Sequence, residues 1–393
     1  MFGVIFRQIM LLHSAQYSES FRAILGDAKL TGNGKHTKRS CSSSPPSSHK
    51  SLLRRAFGVR GFGIPIGVGF AYLCYRRYNR IKEQSLVAAG QDPPIWPRWK
   101  LSAYYAAPLN AVSRTWGWIH GKDIPEKWRE RVLGFWVNFL GCDMNEAEEV
   151  DLKKYANLSQ LFTRRLKSDI RPIASSVDMV SPADGKIVQF GQLENQTLCQ
   201  IKGLCFKLDE FLGRDIRLDT YQKLQLPKNR LYYVTVYLGP KDYHGFHSPA
   251  DWRIEKLRHF GGRLLSVHTR ILERVPNVFV VNERVSLLGR WKYGFFSFTA
   301  IGAMNVGQIY MDCAASGSVH PTNQKGRNAG YVYDEVVEPM RGTKHRGDRI
   351  GEFRLGSSVV LVFEAPAEFE FLVTPGQPIK FGQKLGTVVK GKT

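Results

Sequence analysis

"EFRLGSSVVLVFEAP", residues 352–366, sets a glycine and two small hydroxyls, Gly356-Ser357-Ser358, directly before a run of strand-forming residues. Such a junction is either a plain turn into a strand or a peptide bond that the protein itself attacks. Its surroundings read as β-rich. "LYYVTVYLG" (231–239), "VFVVNERVSLL" (278–288), "GFFSFTAIGA" (294–303) and "FEFLVTPG" (369–376) alternate or are dense in β-branched and aromatic residues, with Gly, Pro and Asn between them. The reading is a β-rich, mostly antiparallel catalytic body over 171–393.

Before Pro172 the texture is helical, over about 97–170. "LNAVSRTWGWIHG" (109–121) and "EKWRERVLGFWVNFLG" (126–141) carry bulky apolar residues at three and four spacing, which suits helices lying against a core or a membrane surface. In "DLKKYANLSQLFTRRLKSDIRPI" (151–173) Leu158, Leu161, Phe162 and Leu166 fall on one helical face, with Arg164 and Arg165 on a solvated charged one. The fold class is therefore α+β, a helical segment packed on the β-rich body.

The net charge of +22 divides unevenly along the 393 residues. Residues 1–80 hold thirteen Lys and Arg against Glu19 and Asp27, half of the excess. The rest is spread without a basic run, so an anionic lipid surface is a better partner than nucleic acid, for which no motif is present. Residues 1–55, basic, acid-poor and ending in the tract "SCSSSPPSSHKS", have the composition of a mitochondrial targeting segment, or otherwise of a disordered basic tail. The stretch 56–80 carries fifteen uncharged residues, 61–75, between Arg60 and Arg76. We read it as a single membrane anchor, short for a span but flanked by arginines that can snorkel. Arginines on both sides leave its orientation open.

Three polar islands of the β-rich part suit chemistry. "SPADGKIVQFG" holds Asp184, "YLGPKDYHGFHSP" holds His244 and His247, and the opening stretch holds Ser357. A serine, an imidazole and a carboxylate brought together can deprotonate the hydroxyl, the carboxylate fixing the tautomer of the base. Alone, Asp184-Gly185 after a proline is a turn, and the His-x-x-His pair sits in a loop. A metal would need a third ligand such as His268 or His320, and the spacing asks for none. The six cysteines form neither a C-x-x-C pair nor a dense framework and read as free thiols. Ser357 is not in a G-x-S-x-G elbow.

Together and in order, "FTRRLK", "SPADGKI", "KDYHGFHSP", "VPNVFVVNERV", "GAMNVG" and "LGSSVVLVFEAP" resemble the phosphatidylserine decarboxylase family, in particular its mitochondrial proenzymes, over about 97–393. The resemblance implies self-cleavage at Gly356-Ser357, with Asp184, His247 and Ser357 as the cleavage triad and His244 serving decarboxylation. Ser357 would become a pyruvoyl group, doing without metal or pyridoxal phosphate what the latter does elsewhere. Its ketone would form a Schiff base with the amine of membrane phosphatidylserine and release phosphatidylethanolamine. Ser358 stands where the family has Thr, so two hydroxyls compete by type. The resemblance further implies a non-covalent complex of a β chain ending at Gly356 with an α chain of residues 357–393, and a place on the mitochondrial inner membrane facing the intermembrane space. Homo-oligomerisation stays open. The competing readings are a membrane-anchored Ser/His/Asp hydrolase and an inactive lipid-binding relative.

Overall fold

The computed structural model describes residues 94–194, 197–201, 204–213, 229–304, 309–312, 335–354 and 357–389 together with Arg77, with Ile201 and 335–341 by backbone alone. The targeting segment 1–55, the anchor 56–80 apart from Arg77, His320 and Gly356 lie outside the described residues. Among the described residues no helix is long and apolar enough to cross a membrane.

The helical segment is α1 (Arg98–Ala106), α2 (Leu109–His120) and α3 (Glu126–Leu140). Prolines 97, 108 and 125 stand immediately before each, where the missing N–H costs nothing. Gly141 closes α3 in the left-handed region at φ 72°. The segment is sewn to the strands by polar pairs: Asn110 Nδ2 donates to Gly262 O at 2.9 Å, and the Ser266 and Leu264 N–H groups donate to Tyr104 Oη and Asn110 Oδ1.

The 151–173 stretch is helical only at α4 (Leu158–Phe162), capped by the Asn157 side chain. Leu158, Leu161 and Phe162 are buried with Leu133 of α3, whereas Leu166 lies beyond the helix in a bridge to Ala147. Arg164, expected on a solvated face, is only 3% exposed, because the chain leaves the helix at Thr163 and turns its side chain inward.

The strands are β1 (Met179–Val180), β2 (Gly185–Gln192), β3 (Thr197–Ile201), β4 (Leu204–Lys207), β5 (Asn229–Leu238), β6 (Gly245–His247), β7 (Trp252–Phe260), β8 (Arg284–Trp291), β9 (Gly294–Ile301) and β10 (Ile309–Met311). They continue as β11 (Glu335–Lys344), β12 (Arg349–Phe353), β13 (Ser357–Pro366), β14 (Phe369–Phe371), β15 (Pro378–Ile379) and β16 (Lys384–Val388). Eight form one sheet in the order β11-β7-β8-β9-β13-β5-β2-β15, antiparallel at every junction. The opening stretch is thus an inner strand. A smaller sheet, β10-β12-β6, takes up His247, where a loop was expected, because β6 pairs antiparallel with β12; His244 stays outside the strand, as expected.

Alternation along β13 separates two cores. Val359, Leu361, Phe363 and Ala365 point into a cluster with Ala183, Leu238, Phe246 and Phe353. Val360 and Val362 point the other way, into a cluster with Tyr233, Phe279 and the short helices Leu208–Leu212, Thr269–Leu272 and Val278–Val281. Two expectations need correcting. Residues 278–281 are a helical turn before β8 and not strand. Cys199 and Cys205 are not free thiols but a disulfide, since the β3-β4 hairpin sets them opposite one another with Cα atoms 3.9 Å apart.

Candidate active site

Ser357 opens β13 opposite Leu238 of β5. Strand parity gives it the face of Val359 and Leu361, where Ala183 and Phe246 pack, while Ser358 shares the face of Val360 and Val362. Both hydroxyls are fully buried, and among the described residues neither has a hydrogen-bond partner. A buried hydroxyl without a partner costs stability, so two in succession mark a site under functional constraint. The histidine segment belongs to the Ser357 side: Phe246, between the two histidines, lies in that cluster, and the Phe353 N–H donates to His244 O at 2.9 Å. Phe353 is thus tied to His244 and Ser357 to Leu238, the residues on either side of the 239–243 turn.

His244 is completely buried. Nδ1 lies 2.7 Å from Asp242 O, an acceptor, so the proton is assigned to Nδ1 and the Nε2 lone pair has no partner. Burial pushes its pKa down to about 4; the hydrogen bond to Asp242 O opposes this and the Arg164 charge adds to it. The Phe162 ring meets it edge-on at 5.8 Å.

His247 stacks on Phe381 with centroids 3.8 Å apart and planes within 11°. Its Nδ1 faces Gly347 O at 2.9 Å and its Nε2 meets the Tyr243 hydroxyl at 3.2 Å. It too is pushed down to about 4, chiefly by burial, against the hydrogen bond to Gly347 O. Both imidazoles are neutral near pH 7.

Asp184 lies beside this group, on the turn whose Pro182 O accepts the His247 N–H at 2.8 Å. Its carboxylate is not hydrogen-bonded to His247. Oδ1 accepts from Phe381 N–H at 2.8 Å and Arg171 Nε at 3.2 Å, and Oδ2 accepts from Arg171 Nη2 at 2.6 Å. Arg171 reaches on to Glu146, which Lys380 also holds at 3.0 Å. The tautomer of His247 is thus fixed by the Gly347 carbonyl, and Asp184 acts on it through space, raising its basicity.

A cavity of about 540 Å³, lined among others by Tyr243, His247, Arg349, Arg165 and Phe381, opens on His247. Among the described residues no group of three His, Cys, Asp or Glu is arranged to hold a metal. His268 caps a short helix, its Nδ1 accepting from Arg270 N–H. Arg171, Tyr243 and Phe381 were not singled out from sequence; the first two lie within quoted stretches, but nothing in their spacing announces a contact.

Comparison with known proteins agrees with these motifs. The phosphatidylserine decarboxylase family model matches residues 158–387. The mitochondrial phosphatidylserine decarboxylase proenzyme of Cricetulus griseus is 37% identical over 361 residues, covering 86% of this chain and 87% of its own. That of Caenorhabditis elegans is 39% identical over 290 residues, 74% of each chain, and the mitochondrial proenzyme 1 of Saccharomyces cerevisiae is 34% identical, covering 74% and 75%. This chain belongs to the phosphatidylserine decarboxylase family.

Proposed function

We propose that the chain cuts itself between Gly356 and Ser357 and then decarboxylates phosphatidylserine to phosphatidylethanolamine. The observation that carries this, given the family, is the Ser357 hydroxyl: buried, without a partner among the described residues, and on the sheet face where Phe246, from between the two histidines, packs. Parity argues for Ser357 over Ser358 as the nucleophile.

In the first reaction Ser357 Oγ adds to the Gly356 carbonyl carbon, the C–N bond breaks, and the amide becomes an ester. The proton passes to a neutral imidazole. His247 is suited to take it, with Nδ1–H held by Gly347 O, the Nε2 lone pair shared only with the Tyr243 hydroxyl, which must give way to the serine, and the Asp184 charge nearby to favour the cation. Loss of the serine α-proton then expels the Gly356 carboxylate, and hydrolysis of the remaining dehydroalanine releases ammonia. The unpartnered Ser357 hydroxyl fits a residue destined for such conversion. The resulting pyruvoyl group, borne by residue 357, supplies an electron sink for the pair left when carbon dioxide departs. His244 meets the substrate as a neutral imidazole with its Nε2 uncommitted, able to hold or move a proton there.

The α chain stays in place after cleavage. All ten residues of β13 pair with β5, and Ser358 to Phe363 also pair with β9. β15 and β16 pair with β2 and β1, and Phe381 and Lys380 reach Asp184 and Glu146.

For a lipid substrate the helical segment offers a docking face. Trp99, Trp118, Trp128 and Phe135 are 73, 64, 46 and 58% exposed, and Lys122 and Arg131 sit over the Trp118 and Trp128 rings. Such rings favour the headgroup level, with cations for anionic lipid. With the stretch 56–80 as anchor, we place the enzyme on the mitochondrial inner membrane with its body in the intermembrane space; the relatives are named mitochondrial.

Carbon dioxide release from carboxyl-labelled phosphatidylserine vesicles tests the proposal. Release by the wild-type chain and none by Ser357→Ala is expected; equal release by both removes the serine from the mechanism.

A further inference from the structure

The Arg164 guanidinium takes no part in the steps assigned to Ser357, His247 and His244. It is 3% exposed, and Nη2 donates to Lys241 O at 3.3 Å. Nε and Nη1 are buried without an acceptor among the described residues. The two arginines that line the cavity at His247 and carry ion pairs are matched with acids: Arg171 with Asp184 and Glu146, and Arg349 with Asp312 and Glu352. Among the described residues no carboxylate lies within ion-pair distance of Arg164. A buried cation with unmet donors is expensive, and one long bond to a carbonyl does not need a guanidinium.

Its position is specific. Phe162, two residues earlier, packs on the His244 ring, and Lys241 precedes His244 by three residues. The 239–243 turn thus links them: it accepts from Arg164 at Lys241, it leads into His244, whose ring feels the Arg164 charge, and it starts after Leu238, the strand partner of Ser357.

We propose that Arg164 is the receptor for an anionic group of the substrate headgroup, its free N–H groups taking oxygens that this chain does not supply. The proposal rests on the decarboxylase reading. Phosphatidylserine brings two such groups, the carboxylate and the phosphodiester, and phosphatidylethanolamine keeps only the second. A planar fork matches either, so lysine is an imperfect replacement.

The test uses full-length Arg164→Lys and Arg164→Gln. Self-cleavage is measured first on denaturing gels, and rates are expressed per cleaved chain. Binding of soluble dihexanoyl phosphatidylserine and dihexanoyl phosphatidylethanolamine is then titrated calorimetrically on cleaved, borohydride-reduced protein, which cannot turn over. Losing a charge-assisted contact should weaken serine-lipid binding by about 10- to 100-fold in Arg164→Gln, less in Arg164→Lys, with KM rising in step. Equal weakening of the ethanolamine lipid assigns the phosphodiester; unchanged ethanolamine-lipid binding assigns the carboxylate. Both support the receptor. Serine-lipid binding and KM within twofold of wild type in cleaved Arg164→Gln would overturn it, as would failure of both variants to cleave, which would make Arg164 a folding residue. Failure of the decarboxylase reading itself is recognised separately, by a wild-type chain that releases no carbon dioxide.

Discussion

Acidification should weaken the uncut fold through its two buried histidines, and the effect can be sized. His244 and His247 fall from an ordinary 6.5 to about 4 in the folded chain, mainly because burial disfavours the imidazolium. Between these values the unfolded chain binds the proton and the folded one does not, so stability rises with pH. The contribution is complete above about pH 6.5 and is lost as pH falls toward 4. For a shift of this size the loss between pH 7 and pH 5 is about 2 kcal/mol per histidine. Urea unfolding at several pH values, in a Ser357→Ala background so that a single chain is measured, gives the total. Comparison with His244→Gln isolates one site: the stability gap between the two proteins should narrow by about 2 kcal/mol from pH 7 to pH 5. A gap independent of pH would refute the buried, neutral state assigned to His244.

Three further outcomes follow from the geometry. An alanine at Gly185 would set its Cβ 2.2 Å from Tyr237 O, so Gly185→Ala should force β2 from β5 beside Asp184 and lower the melting temperature by several degrees; an unchanged melt contradicts that packing. The cleaved α chain should co-elute with the β chain on native gel filtration and separate only in denaturant, because β13 is held on both edges; a β chain eluting alone would contradict this. In a chain lacking the anchor stretch 56–80, replacing Trp118 and Phe135 by Ser should reduce flotation with anionic vesicles by about tenfold or more, at roughly 1.5 kcal/mol per ring, and leave the unfolding curve in place; unchanged flotation would exclude this face as the docking surface.

What could be read from the sequence follows from which signals are local. Runs such as 357–366 and 294–301 declare themselves as strands because β-branched and aromatic residues crowd them, and α2 and α3 declare themselves by three and four spacing between prolines and glycines. The order of strands in the sheet has no such signature. Extending α4 through Leu166 failed because periodicity persists briefly after the backbone has left the helix at Thr163. The Cys199–Cys205 disulfide escaped a search for dense cysteine patterns, since the hairpin register alone brings the two together. At the site, Asp184, both histidines and Ser357 stood out by residue type and by resemblance. The hold of Arg171 on Asp184, the Gly347 carbonyl on His247 and the burial of Arg164 are contacts across 13, 100 and 77 residues, which no local pattern encodes.

The central claim is that Ser357 attacks its own chain, and denaturing intact mass spectrometry of the wild-type chain beside Ser357→Ala tests it most directly. The account predicts two wild-type pieces, one ending at Gly356 and the other comprising residues 357–393 with a carbonyl cap in place of the serine amine, and a single uncut Ser357→Ala chain. A wild-type chain that stays whole after folding, or a cut that persists in Ser357→Ala, would contradict it.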